Sequence, residues 1–225
     1  MAKDFVSQHI VDGYDVHIRK LIPGYELVHQ HILAILQSRF KDEKIQVLIV
    51  GCGTGYELGY LLECFPNWQF VATDLSHTML DKAKMYVQPW NTENRVQFIL
   101  GDCDIHQFSN TFDLVFSILV GHFVPYLQKA NFFQNIAANM KANAMFICFD
   151  LMKFRTEFDA LQLKQLCQYI GLTEKQASIM LERLDDDFYP LSEQETLNIL
   201  ENAKFKDIAR FIQIASYAGY VAIRS

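Results

Sequence analysis

The sequence predicts an α/β fold built on a seven-stranded, mostly parallel sheet with helices on both faces. Two observations lead to this prediction. From residue 45 onward, short β-branched runs alternate with amphipathic stretches, which is the pattern of βαβ units. Near the end of the chain, two further extended runs have the form of an antiparallel hairpin. With 225 residues and 51% hydrophobic content, the chain fits one domain with a modest surplus for a lid.

The first half of the chain contains a helical segment and then most of the sheet. Residues 3–40 have a helical pattern that breaks at Ile22-Pro23-Gly24, so we expect an N-terminal helical cap over 1–40. The core of the domain is expected over 45–150. Its predicted strands are 45–50, 69–73, 96–100, 112–117 and 144–149, and helices fill the gaps between them.

The second half begins with helices that no strand separates. Residues 152–170 and 173–184 are predicted to be consecutive helices, which form a lid inserted over 151–191. A capping box at Ser192-Glu193-Gln194-Glu195 then starts a final helix within a closing segment, 192–225. The last strands are predicted at 208–215 and 220–223, joined by a turn around Ala218-Gly219.

Charge and composition exclude several classes of function. A net charge of −6 argues against general binding of nucleic acid or of anionic membranes, both of which need clustered Lys and Arg. No apolar run has the length of a secretory signal or a membrane span, so we expect a cytoplasmic protein. Five cysteines without close pairing favour reduced thiols. His29 and His31 fall on different helix faces, so no metal site is expected.

The strongest motif is a hydrophobic strand that runs into three alternate glycines and then a helix. Val47-Leu48-Ile49-Val50 leads into Gly51-Cys52-Gly53-Thr54-Gly55. Glycine lets the chain turn tightly and lets a ligand lie against bare backbone, while the helix N-terminus offers free N–H donors. A tight turn without any ligand is the alternative interpretation.

Two carboxylates at the ends of the next strands favour the ligand-binding interpretation. Asp74 ends the second strand about 20 residues after the glycines, where a carboxylate can accept both ribose hydroxyls of a nucleoside. Asp102 follows the third strand at the same edge of the sheet and could accept from an adenine amino group. The alternative for Asp74 is that it only caps the next helix.

These motifs resemble those of the class I S-adenosylmethionine-dependent methyltransferases, which have a Rossmann-like fold, and the resemblance runs from Val47 to Ser225. It implies S-adenosyl-L-methionine as cofactor. The glycines of the loop and the positions that the resemblance matches give the expected cofactor contacts: Tyr25, Gly51, Cys52, Gly53, Gly55, Asp74, Leu75, Asp102, Cys103 and Ser117. NAD fits less well, because its fingerprint spaces the glycines as GxGxxG and no second half-domain is available for the nicotinamide.

Three stretches are similar to one subgroup, the carboxy-S-adenosylmethionine synthases of tRNA wobble-uridine modification. They are residues 12–25, Met180-Leu181-Glu182 and Ala218-Gly219-Tyr220-Val221-Ala222. The resemblance also implies a homodimer. This chain departs from the subgroup at Ser178-Ile179, where the synthases have an arginine for the extra carboxylate of their cofactor. It also has Ile49 where many family members have an acidic residue. The first departure favours ordinary methyl transfer.

Other candidates lie outside the cofactor motif. His122 follows the fourth strand on the expected substrate side and is the candidate catalytic residue, because imidazole exchanges protons near neutral pH. It could also anchor substrate or simply donate to a backbone carbonyl. Tyr14, Arg19 and Tyr189 are candidate substrate contacts, although Tyr14 and Arg19 could equally pack against the lid. The acidic run Asp185-Asp186-Asp187 has the composition of a solvated loop and could also meet a substrate amine.

The sequence therefore predicts in-line transfer of a methyl group to an O, N or C atom of a small-molecule acceptor, with rate gained by alignment and exclusion of water. A synthase that makes a modified cofactor is the second hypothesis. A module that binds the cofactor without turnover is the third.

Overall fold

The computed structural model describes residues 7–40, 43–91, 93–102 and 111–225. The helices of these ranges are α1 (Gln8–Leu21), α2 (Tyr25–Arg39), α3 (Tyr56–Cys64), α4 (His77–Val87), α5 (Tyr126–Asn139), α6 (Glu157–Tyr169), α7 (Glu174–Asp187) and α8 (Glu193–Asn202). The strands are β1 (Gln46–Val50), β2 (Gln69–Asp74), β3 (Val96–Leu100), β4 (Phe112–Ile118), β5 (Met140–Leu151), β6 (Phe205–Ile214) and β7 (Tyr217–Arg224).

The seven strands form one sheet in the order β3-β2-β1-β4-β5-β7-β6. Strands β1 to β5 pair in parallel, and β7 runs antiparallel to both of its neighbours, β5 and β6. The sheet therefore confirms the predicted α/β class, with seven mostly parallel strands and an antiparallel strand from the C-terminal hairpin.

Each face of the sheet carries its own hydrophobic core. On one face, the inward side chains of β1, β2, β4 and β5 pack against α1, α2, α3, α4, α6 and α7. On the other face, the alternate side chains of the sheet pack against α5 and α8. Strands buried on both faces need near-continuous apolar runs, which is why β1 reads Gln-Val-Leu-Ile-Val. The sheet and the helices on its two faces form three layers. The polar candidate residues lie at the carboxyl ends of the strands.

The strand register places the candidate site residues at one edge. Val50, the last residue of β1, pairs with Thr73 of β2 on one side and with Ser117 of β4 on the other. Asp74 pairs in turn with Leu100 of β3. The ends of four parallel strands thus meet at the same edge, which is where ligands bind in open α/β sheets.

The predicted cap and lid lie against each other. Cys167 of α6 donates its thiol to the carbonyl of Leu21, the last residue of α1, at 3.3 Å. Gly171, which follows α6, lies next to the Lys20 side chain. Helices α1 and α6 therefore form one covering layer at the carboxyl edge of the sheet. The roles of 1–40 as a cap and of 151–191 as a lid stay predictions.

Two local predictions were wrong. Ala218 and Gly219 lie inside β7, paired with Asp150 and Phe149, while the hairpin turns at Ala215, whose φ is +48°. Gly219 is needed there because the Phe211 ring occupies the space where its side chain would lie: a Cβ would be 2.5 Å from the ring.

Helix α6 also starts later than predicted. It begins at Glu157 because a capping box joins Thr156 and Asp159, and Met152 before it forms an isolated bridge with Leu191. The predicted capping box of α8, Ser192 with Glu195, is confirmed.

Candidate active site

The glycine loop between β1 and α3 has a backbone that only glycine adopts readily. Gly51, Gly53 and Gly55 have φ angles of +67°, +53° and +87°. The loop is tied to the neighbouring strand because the Cys52 N–H donates to the Thr73 carbonyl at 2.8 Å. A side chain on Gly53 would meet no atom within 4 Å, so its backbone faces open space. This is the surface that an adenosyl ligand lying against bare backbone requires.

Asp74 lies beside that open loop and is held by it. One carboxylate oxygen, Oδ2, accepts from the Gly53 N–H at 2.9 Å, and Oδ1 accepts from the Ser76 N–H at 2.9 Å. Burial raises the pKa of Asp74, and the backbone N–H donors act in the opposite direction. Each carboxylate oxygen has capacity to accept a second hydrogen bond, so Asp74 can still receive two ribose hydroxyls.

The residues around Asp74 complete an apolar and acidic edge. Leu75 is 77% exposed and Leu100 is 60% exposed, which leaves two large aliphatic side chains uncovered beside the carboxylate. Gly101 donates its N–H to the Asp74 carbonyl at 2.9 Å, so the exposed Asp102 follows directly at the end of the adjacent strand. An adenine ring needs both an apolar face and a polar edge, and these residues supply both. Cys103 lies outside the described residues.

Ser117 lies differently from the other expected contacts. It is fully buried, and its hydroxyl, like that of Thr73, has no hydrogen-bond partner among the described residues. Both hydroxyls flank Val50 at the carboxyl edge, on the side of the sheet that packs against α5 and α8. In this structure Ser117 therefore lies in the buried layer between the sheet and α5 and α8, and its hydroxyl does not reach the open space beside Gly53.

The predicted cap supplies Tyr14 and Tyr25 on the side of the glycine loop, and its Arg19 packs on Tyr56, the residue directly after the loop. Burial raises the pKa of Tyr14, and the negative charges of Glu57, Asp74 and Asp15 raise it further. Tyr25 is buried with its ring centroid 4.5 Å from that of His29.

Arg19, predicted as a substrate contact, pairs with Glu26 at 2.5 Å. Its guanidinium lies 4.7 Å from the centroid of the Tyr56 ring and 5.2 Å from that of Tyr25. These contacts pack the partly exposed Arg19 side chain against α2 and the start of α3, and its role as a substrate contact stays a prediction.

An apolar cavity of about 200 Å³ lies between α1, α7 and the segment after β4. Its lining residues are Tyr14, His17, Ile18, Leu21, Ile22, Leu119, His122, Phe123, Leu172, Gln176, Ile179, Met180, Arg183, Leu184, Asp187, Phe188 and Tyr217. Leu119 has a φ of +60°, in the left-handed region that non-glycine residues seldom adopt. Such strain clusters at functional sites, where the surrounding structure has to sustain it.

Two histidines line this cavity, His17 and His122, and His122 is the one that an acid positions. It is buried, and its Nδ1 lies 2.8 Å from Oδ1 of Asp150, the residue before the last in β5. The backbone N–H of His122 donates to the same oxygen at 3.2 Å. A carboxylate oxygen can only accept, so we place the proton of the neutral ring on Nδ1, facing Asp150. In this tautomer Nε2 is a proton acceptor on the opposite edge of the ring.

The backbone of Tyr189, which follows the acidic run, lies next to that of His122. The Tyr189 N–H donates to the His122 carbonyl at 2.7 Å, and its ring stands edge-on to Tyr126. Tyr189 does not line the cavity, whereas its neighbour Phe188 and the acid Asp187 do. The side chains of Asp185 and Asp186 lie outside the described residues.

The sequence analysis missed two acids. Asp150 follows a predicted strand in the same way as Asp74 and Asp102, and that signal could have found it. Glu57 lies in the first turn of α3, where burial raises its pKa to about 7. Its neighbour His29, at 3.9 Å, has a pKa lowered to about 3 by burial, so the imidazole is neutral and leaves the acid without a cation.

The cofactor loop and the turn that carries His122 are in contact. A Cβ placed on Gly51 would lie 2.5 Å from Cγ2 of Val120, two residues before His122. In the described part of the chain, no group of three His, Cys, Asp or Glu side chains is placed to hold a metal ion. In the same part, no helix has both the length and the apolar character needed to cross a bilayer.

Comparison with known proteins agrees with this geometry. Residues 47–143 match the model of a methyltransferase domain. Over 94 residues the chain is 36% identical to malonyl-[acyl-carrier protein] O-methyltransferase of Priestia megaterium. This aligned region covers 42% of this chain and only 31% of that protein. Over 229 residues the chain is 23% identical to carboxy-S-adenosyl-L-methionine synthase of Staphylococcus epidermidis. This aligned region covers 98% of this chain and 96% of that protein.

A solved structure shares the fold. Magnesium protoporphyrin IX methyltransferase of Synechocystis, with bound S-adenosylhomocysteine, superimposes with a TM-score of 0.67 at 17% identity, over 92% of this chain and 86% of that one. The glycine loop, the carboxylate that follows it and the sheet order agree with the domain match. The chain therefore contains a methyltransferase domain over residues 47–143 and resembles the class I methyltransferases, which use S-adenosyl-L-methionine as cofactor.

Proposed function

We propose that this chain transfers the methyl group of S-adenosyl-L-methionine to a small-molecule acceptor held in the apolar cavity. The observation that carries the proposal is the juxtaposition of two features. An open glycine loop with Asp74 beside it lies next to a cavity whose wall contains His122, and Asp150 contacts this histidine from outside the cavity. Tyr14 lines the cavity and also lies near Asp74, so it connects the two.

The described residues fit the cofactor in size and polarity. Backbone at Gly51, Gly53 and Gly55 would lie against the ligand, and Asp74 would receive the ribose hydroxyls. Leu75 and Asp102 would meet the adenine, with Tyr25 and Cys52 at the other end of the loop. Cys103 and Ser117 stay predicted contacts.

The reaction needs little chemistry from the protein. When bound, the cofactor would supply an activated methyl carbon on a sulfonium, and this sulfur would keep the electron pair of the carbon–sulfur bond as the methyl group passes to the acceptor atom. The chain aligns the acceptor and excludes water with α1, α6 and α7. Where the acceptor arrives protonated, His122 accepts the proton at Nε2, and Asp150 stabilises the resulting imidazolium.

Calorimetry with S-adenosylhomocysteine tests the proposal. We expect micromolar or tighter binding, and release of labelled methyl product when S-adenosylmethionine is incubated with an acceptor panel. Binding without product over a broad panel would favour a module that holds the cofactor without turnover. Absence of binding at millimolar concentration would overturn the site assignment.

One observation favours a second candidate, a synthase of carboxylated cofactor. Arg183 lines the cavity one helical turn after Ile179, and it could supply the cation that position 179 lacks. However, Nε of Arg183 already lies 3.5 Å from Oδ2 of Asp187, which neutralises its charge, so methyl transfer remains the leading proposal. Mass spectrometry of the copurified ligand separates the two functions, because a carboxylated cofactor is heavier.

The homodimer and the cytoplasmic location implied at the outset stay predictions. Light scattering of the purified chain would check the first. The small size of the cavity supports a small-molecule acceptor over a nucleic acid.

A further inference from the structure

The apolar cavity has properties that restrict what its acceptor can be. We infer that the acceptor is a neutral, single-ring phenol bound with its hydroxyl at His122, an inference that rests on the proposed function. Size, charge, wall chemistry and the position of the proton acceptor each support it.

Size fits the cavity to one ring. The cavity measures about 200 Å³ and is open to solvent on one side. An apolar cavity of about 150 Å³ in a protein interior holds one benzene molecule, so this one accommodates a single ring with a few further atoms. The remaining rings of a three-ring acceptor would project from the cavity into solvent.

Charge excludes an ionic acceptor as the preferred occupant. Most of the lining is aliphatic or aromatic, contributed by Ile18, Leu21, Ile22, Leu119, Phe123, Leu172, Ile179, Met180, Leu184 and Phe188. The two fully charged side chains, Arg183 and Asp187, lie one turn apart on α7 and pair with each other. A carboxylate or an ammonium in the cavity would lose water without gaining an uncompensated partner.

The wall nearest His122 is aromatic. The ring centroid of His122 lies 4.5 Å from that of Phe123 and 5.1 Å from that of Phe188, and the two phenylalanine centroids are 4.9 Å apart. Aromatic rings at these separations attract one another beyond the effect of the apolar area that they bury. A planar acceptor would therefore be preferred over an aliphatic one of equal size.

A phenol also matches the chemistry of His122. Its O–H can donate to Nε2, because Nδ1 is already taken by Asp150. During transfer, the O–H proton passes to Nε2 while the phenol oxygen forms its bond to the methyl carbon. The products are a methyl ether, S-adenosylhomocysteine and a protonated His122, which releases its proton to solvent after the ether leaves. No further co-reactant is needed.

Calorimetry on the protein saturated with S-adenosylhomocysteine tests the inference without requiring turnover. The probe is 4-ethylphenol. The comparators are ethylbenzene, which lacks the hydroxyl, 4-ethylbenzoate, which is charged, and a three-ring hydroxyflavone, which is too large. We expect 4-ethylphenol to bind at least tenfold more tightly than each comparator. Equal or tighter binding of any comparator would overturn the corresponding part of the inference.

A cavity-filling variant locates the binding. Ile179→Trp places a large ring at a lining position that is 41% exposed, so the helix can accept it. We expect at least a tenfold loss of 4-ethylphenol affinity with unchanged affinity for S-adenosylhomocysteine, which also shows that the variant is folded. Unchanged phenol affinity would overturn the inference. If S-adenosylhomocysteine itself fails to bind the unaltered protein, the proposed function falls, and the acceptor inference falls with it.

Discussion

The cofactor side and the acceptor side of this site are built in different ways. The proposed cofactor side is made of three short runs of residues, one after each of β1, β2 and β3, and much of its surface is backbone. The acceptor side is made of side chains from α1, α7 and the segment after β4, which are far apart in sequence. A backbone surface tolerates few changes, because glycine is required, whereas a side-chain surface can change its specificity by substitution. The comparison indicates that the cofactor is fixed by local sequence and the acceptor by tertiary packing.

The largest expected effect falls on the acceptor side, where His122→Gln should separate chemistry from binding. We expect kcat to fall by about 10² to 10⁴ because the proton acceptor is lost. The affinity for S-adenosylhomocysteine should stay within about twofold, since His122 lies outside the glycine loop. Asp150→Asn should reproduce part of the loss. His31→Gln, on α2, serves as the control. Normal turnover in His122→Gln would leave the histidine with a structural role only.

The next largest effect falls on the cofactor side. Asp74→Ala should weaken S-adenosylhomocysteine binding by ten- to a hundredfold, because two hydrogen bonds to a charged acceptor are lost at about 1.5–3 kcal/mol each at most. Asp74→Asn, which keeps the shape, should lose less. Calorimetry gives the affinity and a thermal melt confirms folding. Unchanged affinity in both variants would move the ribose site away from this strand end.

The cofactor side also contains a buried acid whose contribution to stability depends on pH. The pKa of Glu57 is raised to about 7, so its contribution to the free energy of unfolding is fully present below the unfolded pKa of about 4.3 and is lost as pH rises through 7. We expect Glu57→Gln to stabilise the fold by about 2 kcal/mol at pH 8 and hardly at all at pH 4.5, measured by urea unfolding. His29 has the opposite sign, since its lowered pKa means that stability is lost as pH falls below about 6.5. A variant with the same pH slope as the unaltered protein would contradict the assignment of that slope to Glu57.

The smallest expected effect comes from a residue that belongs to neither the cofactor side nor the acceptor side. Ser192→Ala removes the capping box of α8, which packs on the opposite face of the sheet. The free energy of unfolding should fall by about 1 kcal/mol, while the affinity for S-adenosylhomocysteine and the turnover rate stay unchanged. A change in either ligand measurement would show that the two faces of the sheet are coupled.

The same contrast explains how much could be predicted from sequence. The glycines, Asp74 and the strands follow from local pattern and turn chemistry, so their places were predictable. Asp150 was missed although it obeys the strand-end rule, because its value depends on His122 of another segment. Arg19 and the turn near Gly219 depend on partners distant in sequence, Tyr56 and Phe211, that no local pattern contains. The cavity forms only when α1, α7 and the segment after β4, which are far apart in sequence, come together.

The contact between Gly51 and Val120 has a consequence for how the two sides of the site can vary. Val120 fills the space that a side chain at position 51 would take, so the glycine loop and the turn that carries His122 pack directly against each other. Close-packed interiors transmit the effect of even a small change in side-chain volume. A substitution at position 51 or position 120 would therefore disturb the glycine loop and the His122 turn together.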